Sequence, residues 1–292
     1  MSQYQNKLTT LVVGNGSALT EIILKKLNAN GFQSKSWEKL RISDAHKDVR
    51  PVLSLPQTLK GTLEGVHTII STLSIHEEQR SLYDTVSDYK YNLNLLQEAQ
   101  RAGVHKFIFL VLMNTSSKEK EEAEYSRKCF EESLKNANIN YVILRVASIF
   151  QEWNTLLNMA HRGKIIIVGN EDQHNPIHLK DIAKACIDLL ASNNLDITLE
   201  GPQKMTSKQM AQIAFKAHGK HSNLIFLPQF MSNFIHWICK QLGVFSHFNN
   251  PILFIPERHE QPYLKKEFGT TTLFSFYQDQ VEKIKHSKNQ RN

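Results

Sequence analysis

Residues 11–27 read LVVGNGSALTEIILKKL, an apolar run that ends at Gly14-Asn15-Gly16 and passes at once into a helical pattern. The run Leu8–Val13, bounded by glycine, suits a buried parallel strand. From Ala18 onward, Leu19, Ile22, Ile23 and Leu27 keep helical spacing, with Lys25, Lys26 and Asn28 on the other face. Asn30-Gly31 then ends the helix, glycine being the natural residue just past a helix terminus. A strand, a glycine turn and a helix in that order are what a dinucleotide-binding turn requires. Gly14 can make the tight turn. Read as GxGxxG, the later positions are Gly16 and Leu19; read as GxxGxxG, they are Ser17 and Thr20, both small and polar. Ser17 can cap the helix or donate to a phosphate. The stretch alone leaves a phosphate turn and a plain capped helix both open.

Outward from the turn, the same alternation repeats. Phe32–Trp37 is a second, weaker strand, followed by a helix near Thr58–Leu63 and a strand at His67–Thr72. A long helix from Tyr83 to Ala102 precedes the strand Lys106–Leu112. A helix over Glu119–Asn136 precedes the strand Tyr141–Val146. Strands alternating with helices across short turns imply right-handed crossovers and an α/β fold, a doubly wound parallel sheet. Ligands of such sheets bind beyond the carboxyl ends of the strands, beside the switch in strand order. That selects the loops at residues 14–18, 37–41, 72–77 and 112–118.

At the end of the second strand a carboxylate suits the ribose of NAD, and a basic residue suits the 2′-phosphate of NADP. Glu38 is followed by Lys39 and Arg41, and the basic cluster tips the reading toward NADP over NAD. With 35 Lys and Arg against 28 Asp and Glu, the formal net charge is +7. The chain shows no helix-turn-helix, zinc-finger or RNA-recognition signature, which argues against a nucleic-acid partner. Cys129, Cys186 and Cys239 are spread, without a CxxC pair. That pattern, and a polar start without a signal-peptide core, point to a cytoplasmic protein. His174 and His178 stand four apart, but Pro176 between them opposes a shared helix, so no metal site is expected. The most apolar stretch, residues 223–245, reads as core of the second lobe. An amphipathic surface for a partner or a membrane is the less favoured reading.

The stretches LEGVHTIISTLS, LNLLQEAQRAGVHKFIF, INYVILRVASIF, NPIHLKDIAKACIDLL and GPQKMTSKQMAQIAFKAHGK occur in that order along the chain. In that order and spacing the chain resembles the NmrA-like, atypical short-chain dehydrogenase/reductase family over nearly its whole length. The resemblance implies a Rossmann domain over residues 1–150 and a smaller, mostly helical C-terminal lobe over 151–292. Segments near 165–190 would pack back on the first domain. It also implies that Gly14, Asn15, Gly16, Ser17, Ala18 and Leu19 hold the pyrophosphate, with Glu38, Lys39 and Arg41 at the adenosine ribose. Ser71, Thr72 and Leu73 would lie beside the nicotinamide ribose, and Leu112, Asn114, Ser116 and His178 would line the substrate cleft.

The catalytic positions depart from the family pattern. Active reductases of this superfamily hold the substrate carbonyl with a serine at the end of the fourth strand, and use a tyrosine and a nearby lysine for the proton. Here that strand ends FIFLVLMNTSS, so the serine position reads Val111-Leu112. Tyr125 and Lys128 are three apart where the family has four. Both spacings bring side chains to neighbouring positions on a helix, at different angles. The resemblance therefore implies either an NAD(P)H-dependent reductase or isomerase of a small molecule, assisted by Tyr125 or Lys128, or a non-catalytic protein. The latter would be a nucleotide and redox sensor, or a pseudoenzyme, acting through a regulatory protein partner.

Overall fold

The computed structural model describes residues 8–14, 16–40, 42–44, 47–49, 51–75, 82–113, 120–168, 173–228, 231, 252–254 and 264–289. Its strands are β1 (Thr9–Val13), β2 (Ser34–Ser36), β3 (Ile42–Asp44), β4 (Lys47–Val49), β5 (Val66–Ser74), β6 (Lys106–Leu112) and β7 (Asn140–Val146). They continue with β8 (Ile165–Val168), β9 (Gln173–His174), β10 (Leu195–Glu200), β11 (Met205–Thr206), β12 (Leu224–Leu227), β13 (Ile252–Phe254) and β14 (Leu264–Glu267). The helices are α1 (Ala18–Ala29), α2 (Leu82–Arg101), α3 (Lys120–Asn136), α4 (Asn154–Arg162), α5 (Leu179–Asp188), α6 (Ser207–Ala217) and α7 (Leu273–Asn289). The chain divides into two compact units. Residues 1–147, 179–199 and 263–268 form the first, and 148–178, 200–262 and 269–292 the second.

The first unit is a seven-stranded sheet in the order β14-β10-β7-β6-β5-β1-β2. From β10 to β2 every neighbouring pair is parallel. This is the doubly wound α/β fold that the sequence leads one to expect. Residues 107–111 are fully buried, as a strand covered by helices on both faces requires. The strand order reverses between β1 and β5, so the crevice above Val13 and Ser71, which pair in register, is the ligand end of the sheet. Helix α5 packs against α1 within this unit.

Two elements differ from the sequence reading. The helix expected near Thr58–Leu63 is a 3₁₀ turn at Pro56–Thr58 followed by turns. Gly61 (φ +83°) and Gly65 (φ +74°) take left-handed backbone that a continuing helix cannot use. The second strand is shorter than expected, because Trp37–Lys39 winds into a 3₁₀ turn and buries Trp37.

In the second unit α4, α6 and α7 share one apolar core that includes Leu156, Leu157, Met210, Phe215, Phe276 and Tyr277. Thr206 starts α6 as a capping box with Gln209. Beside these helices lie a parallel three-stranded sheet, β12-β8-β13, and the antiparallel pair β9-β11. The short strands of this unit carry no long alternating pattern, and the family resemblance implies only a mostly helical lobe.

Candidate functional site

The turn after β1 is built from hydroxyls and glycines. Ser17 is the N-cap of α1 and accepts from the Thr20 amide at 3.4 Å. Its Oγ lies 3.1 Å from Thr20 Oγ1, which lies 3.0 Å from Thr72 Oγ1; Thr72 in turn donates to the Val13 carbonyl at 3.3 Å. This chain of hydroxyls joins the first turn of α1 to β5 across the end of β1. A Cβ on Gly14 would stand 2.3 Å from both threonine oxygens, so only glycine fits there. Gly16 has φ +67°, and a Cβ on it would meet Glu38 Oε1 at 2.6 Å. The Glu38 carboxylate therefore lies over the turn, at its β2 side. Lys39 is exposed on the same 3₁₀ turn. Ala18 is exposed and Leu19 is buried in the core.

Along β5, the three residues expected beside a nicotinamide ribose are all buried. Thr72 faces the turn. Ser71 donates instead to Asn92 Oδ1 of α2 at 2.5 Å, and Asn92 donates to the Asp88 carbonyl at 2.8 Å. Leu73 belongs to the same core cluster as Leu95 and Leu96. Of this trio, Thr72 alone touches the glycine turn through its side chain.

The catalytic candidates lie on α3. Ala123, Arg127, Phe130, Glu131 and Leu134 form the buried stripe of that helix. At 100° per residue Tyr125 falls on the opposite side. It is 70% exposed. Its hydroxyl pKa is raised by a hydrogen bond with Cys129, one turn on, and by the charge of that thiol and of Glu132. Lys128 is also exposed and pairs with Glu124 at 2.9 Å. The structure does not bring Tyr125 or Lys128 to the turn after β1. At the end of β6 Val111 is fully buried and Leu112 half-buried, and neither can donate a hydrogen bond.

What α3 does present to the sheet is charge. Arg145 of β7 is 0% exposed and forks its guanidinium onto both oxygens of Glu131, at 2.7 Å each. Its Nε and Nη2 also donate to Asp196 of β10, at 2.7 and 3.0 Å. Arg127 adds a bond to Glu131 at 2.6 Å, and Lys135 one to Asp196 at 2.8 Å. Burial alone would raise the Asp196 carboxyl, but the hydrogen bonds from Arg145 and Lys135 hold it below its ordinary value. Arg145 pairs in register with Val111, so the network lies beside the end of β6. The sequence reading missed it. Its one signal is an arginine inside the apolar run YVILRV.

A family profile described as NAD(P)H-binding matches residues 23–193, more than half of the chain. The chain belongs to this NAD(P)H-binding family. The match opens inside α1, just after the glycine turn, and runs through α5.

Among curated relatives, the chain is 22% identical over 230 residues to the Arabidopsis thaliana protein High Chlorophyll Fluorescence Phenotype 244, chloroplastic, covering 75% of this chain and 58% of that protein. It is 23% identical over 198 residues to the photosystem II assembly factor Ycf39 of Guillardia theta, covering 63% of this chain and 62% of that one. The chain thus spans about three fifths of the length of these two relatives. Solved structures with the same fold include a nucleoside-diphosphate-sugar epimerase from Staphylococcus aureus, with a TM-score of 0.62 at 18% identity. That match covers 93% of this chain and all of the other. The Bordetella bronchiseptica enzyme WbmH, in complex with NAD+, matches with a TM-score of 0.61 at 13% identity over 93% and 96% of the two chains.

For a chain of this NAD(P)H-binding family, the described groups able to hold a dinucleotide are the amides of Gly16 and Ser17, the start of α1, and Glu38 for a ribose diol. The turn fits such a group, because Gly16 is exposed at it with φ +67° and the Glu38 carboxylate stands 2.6 Å from where a Cβ on Gly16 would lie. Asn15, Arg41, Asn114 and Ser116 lie outside the described residues. His178 lies in the second unit, with its ring 5.7 Å from Phe150 and 5.5 Å from Phe276. Among the described residues no group of His, Cys, Asp and Glu could hold a metal ion. No described helix is long and apolar enough to cross a membrane.

Proposed function

We propose that the chain binds an NAD(P) dinucleotide at the turn between β1 and α1 and uses it as a signal that alters its contact with a protein partner. In this reading the bound nucleotide passes no hydride to a substrate. The observation that carries the proposal is the orientation of α3. The fork from Arg145 to Glu131 fixes the rotation of that helix, and Tyr125 then faces away from the sheet. Swinging Tyr125 inward would turn Glu131 out of a buried ion network, a change that costs several kcal/mol, on the order of 3–5. The hydrocarbon end of β6 supports the same reading, since Val111 and Leu112 cannot polarise a carbonyl. The relatives named as photosystem II assembly factors support a role beside a protein complex. Free Cys129 and Cys186 are compatible with a reducing compartment.

For the cofactor, the basic residues Lys39 and Arg41 of the sequence speak for NADP, but the Glu38 carboxylate lies over the turn and speaks for NAD. A carboxylate over Gly16 can accept from a ribose diol and repels a 2′-phosphate. We take NAD(H) as the preferred form. Fluorescence titration with NADH and NADPH tests this: saturable binding of NADH, tighter than NADPH, is expected, with the preference narrowed by Glu38→Gln. No saturable signal from either nucleotide would overturn the reading. Sustained oxidation of NADH with a carbonyl substrate, abolished by Tyr125→Phe, would overturn its non-catalytic part.

A further inference from the structure

The amino ends of the central strands, opposite the glycine turn, carry a second cavity. Its volume is about 740 Å³, within the range of small-molecule sites, about 300–1,000 Å³. Its lining belongs wholly to the first unit and comes from the ends of α2 and α3 and the approaches to β6, β7 and β10. It is rich in amides: Gln100, Asn138, Asn140 and Asn194, with His105 and Tyr141 beside them. Two of these amides are oriented by the protein itself. Asn140 Nδ2 donates to His105 Nε2 at 3.1 Å and to the His105 carbonyl at 3.4 Å, which leaves its Oδ1 for another donor. The His105 ring is held in turn at 4.9 Å from that of His67. Asn194 Oδ1 accepts from the Tyr141 amide at 3.4 Å, which leaves its Nδ2 for another acceptor. Among the described residues, Asn194 is the one non-glycine at positive φ, +53°. Glycine takes that backbone without strain, so what asparagine adds there is the amide.

We propose that this cavity binds a neutral, hydroxyl-rich small molecule, a polyol or a sugar. Charge decides the class. Helices α2 and α3 both reach the cavity with their C-termini, whose carbonyl ends disfavour an anion. A cation finds no counter-charge, since no Asp or Glu is among the described residues that line it. Lys135 does line it, but its ammonium is bonded to Asp196 at 2.8 Å, which leaves the wall close to neutral. An extended peptide has no edge to join, because β6, β7 and β10 each lie between two neighbours in the sheet. Hydroxyls fit what is offered. A carboxamide carries two donors and an acceptor, and a hydroxyl one donor and two lone pairs, so four amides can match several hydroxyls at once. The four are exposed or half-buried, so a ligand reaches them from solvent. Holding Asn140 and Asn194 in place beforehand reduces the ordering that binding would otherwise require.

The test uses the full chain with trehalose and myo-inositol, and with inorganic phosphate and spermidine as charged controls. Saturable shifts of the side-chain amide resonances of Gln100, Asn138, Asn140 and Asn194 are expected with a neutral probe. Saturating NADH should leave those shifts in place, because the nucleotide turn lies at the other end of the sheet. Asn194→Gly keeps the left-handed backbone and removes one amide; Gln100→Ala removes another from an exposed helix position. Each should weaken the neutral probe at least about threefold, as loss of a hydrogen bond does. A response to trehalose alone assigns a sugar, and one to myo-inositol as well assigns polyols in general. No response to either neutral probe, unchanged affinity in both variants, or displacement by NADH overturns the proposal. So does a response to phosphate or spermidine as strong as that to the neutral probes.

Discussion

Thr20 Oγ1 and Thr72 Oγ1 meet at 3.0 Å in the space that a side chain on Gly14 would need. The contact ties the first turn of α1 to β5 and makes Gly14 a packing requirement as well as a turn residue. Gly14→Ala places a methyl 2.3 Å from each hydroxyl oxygen, so the helix or the strand must shift. Overpacking of this kind costs about 1–3 kcal/mol. Chemical denaturation should show that loss, and NADH titration a matching weakening. Adding Thr20→Ala removes one of the two clashes and should return part of the stability; no recovery would mean that backbone strain dominates.

Tyr125 and Lys128 are expected to tolerate change. Tyr125 faces solvent, and Lys128 makes a surface pair of a kind worth about 0–1 kcal/mol. Tyr125→Phe should alter stability by less than about 0.5 kcal/mol and leave NADH affinity unchanged. A clear loss of nucleotide binding in Tyr125→Phe would mean that α3 reaches the cofactor in solution, against the orientation found.

Arg145 is the opposite case. Arg145→Met leaves the buried Glu131 and the half-buried Asp196 without the guanidinium they share. Breaking a buried pair from one side costs about 3–5 kcal/mol. In a double-mutant cycle with Glu131→Gln the coupling should fall between about 0.5 and 3 kcal/mol. Additive effects would show that the fork contributes packing rather than charge pairing.

The sheet was legible because its central strands are short apolar runs bounded by glycine or charge. Lys106–Leu112 was readable to the residue for that reason. The turn was legible only in part. Spacing marks Gly14, but the Thr20–Thr72 contact joins residues 52 apart, and no local pattern carries that. The reach of Glu38 over Gly16 is hidden in the same way. On α3 the apolar stripe of Ala123, Phe130 and Leu134 was present in the sequence and already placed Tyr125 opposite. The near-match to a Tyr/Lys spacing draws attention away from it. Arg145 stood out as a charge in an apolar strand, yet its partner Asp196 lies 51 residues on, beyond the reach of periodicity.

The stability of the first unit should fall on mild acidification, and His67 is one cause. Its Nδ1 lies 2.9 Å from Thr68 Oγ1, and its ring lies 4.9 Å from that of His105. Burial first, then the charges of His105 and Lys106, hold its pKa below the ordinary 6.5. The unfolded chain, with His67 near 6.5, therefore binds more protons than the folded chain between the lowered value and 6.5. Stability rises with pH wherever the unfolded state binds more protons. The contribution of His67 is thus fully present above about pH 6.5 and declines as pH falls toward the folded pKa. Thermal melts at pH 7.5 and 5.5 should show a smaller drop for His67→Gln than for the parent chain. Some decline in the melt of the whole chain should persist in the variant, because His218 of the second unit is lowered in the same direction. An unchanged drop in His67→Gln would show that the imidazole is already free to protonate in the folded protein.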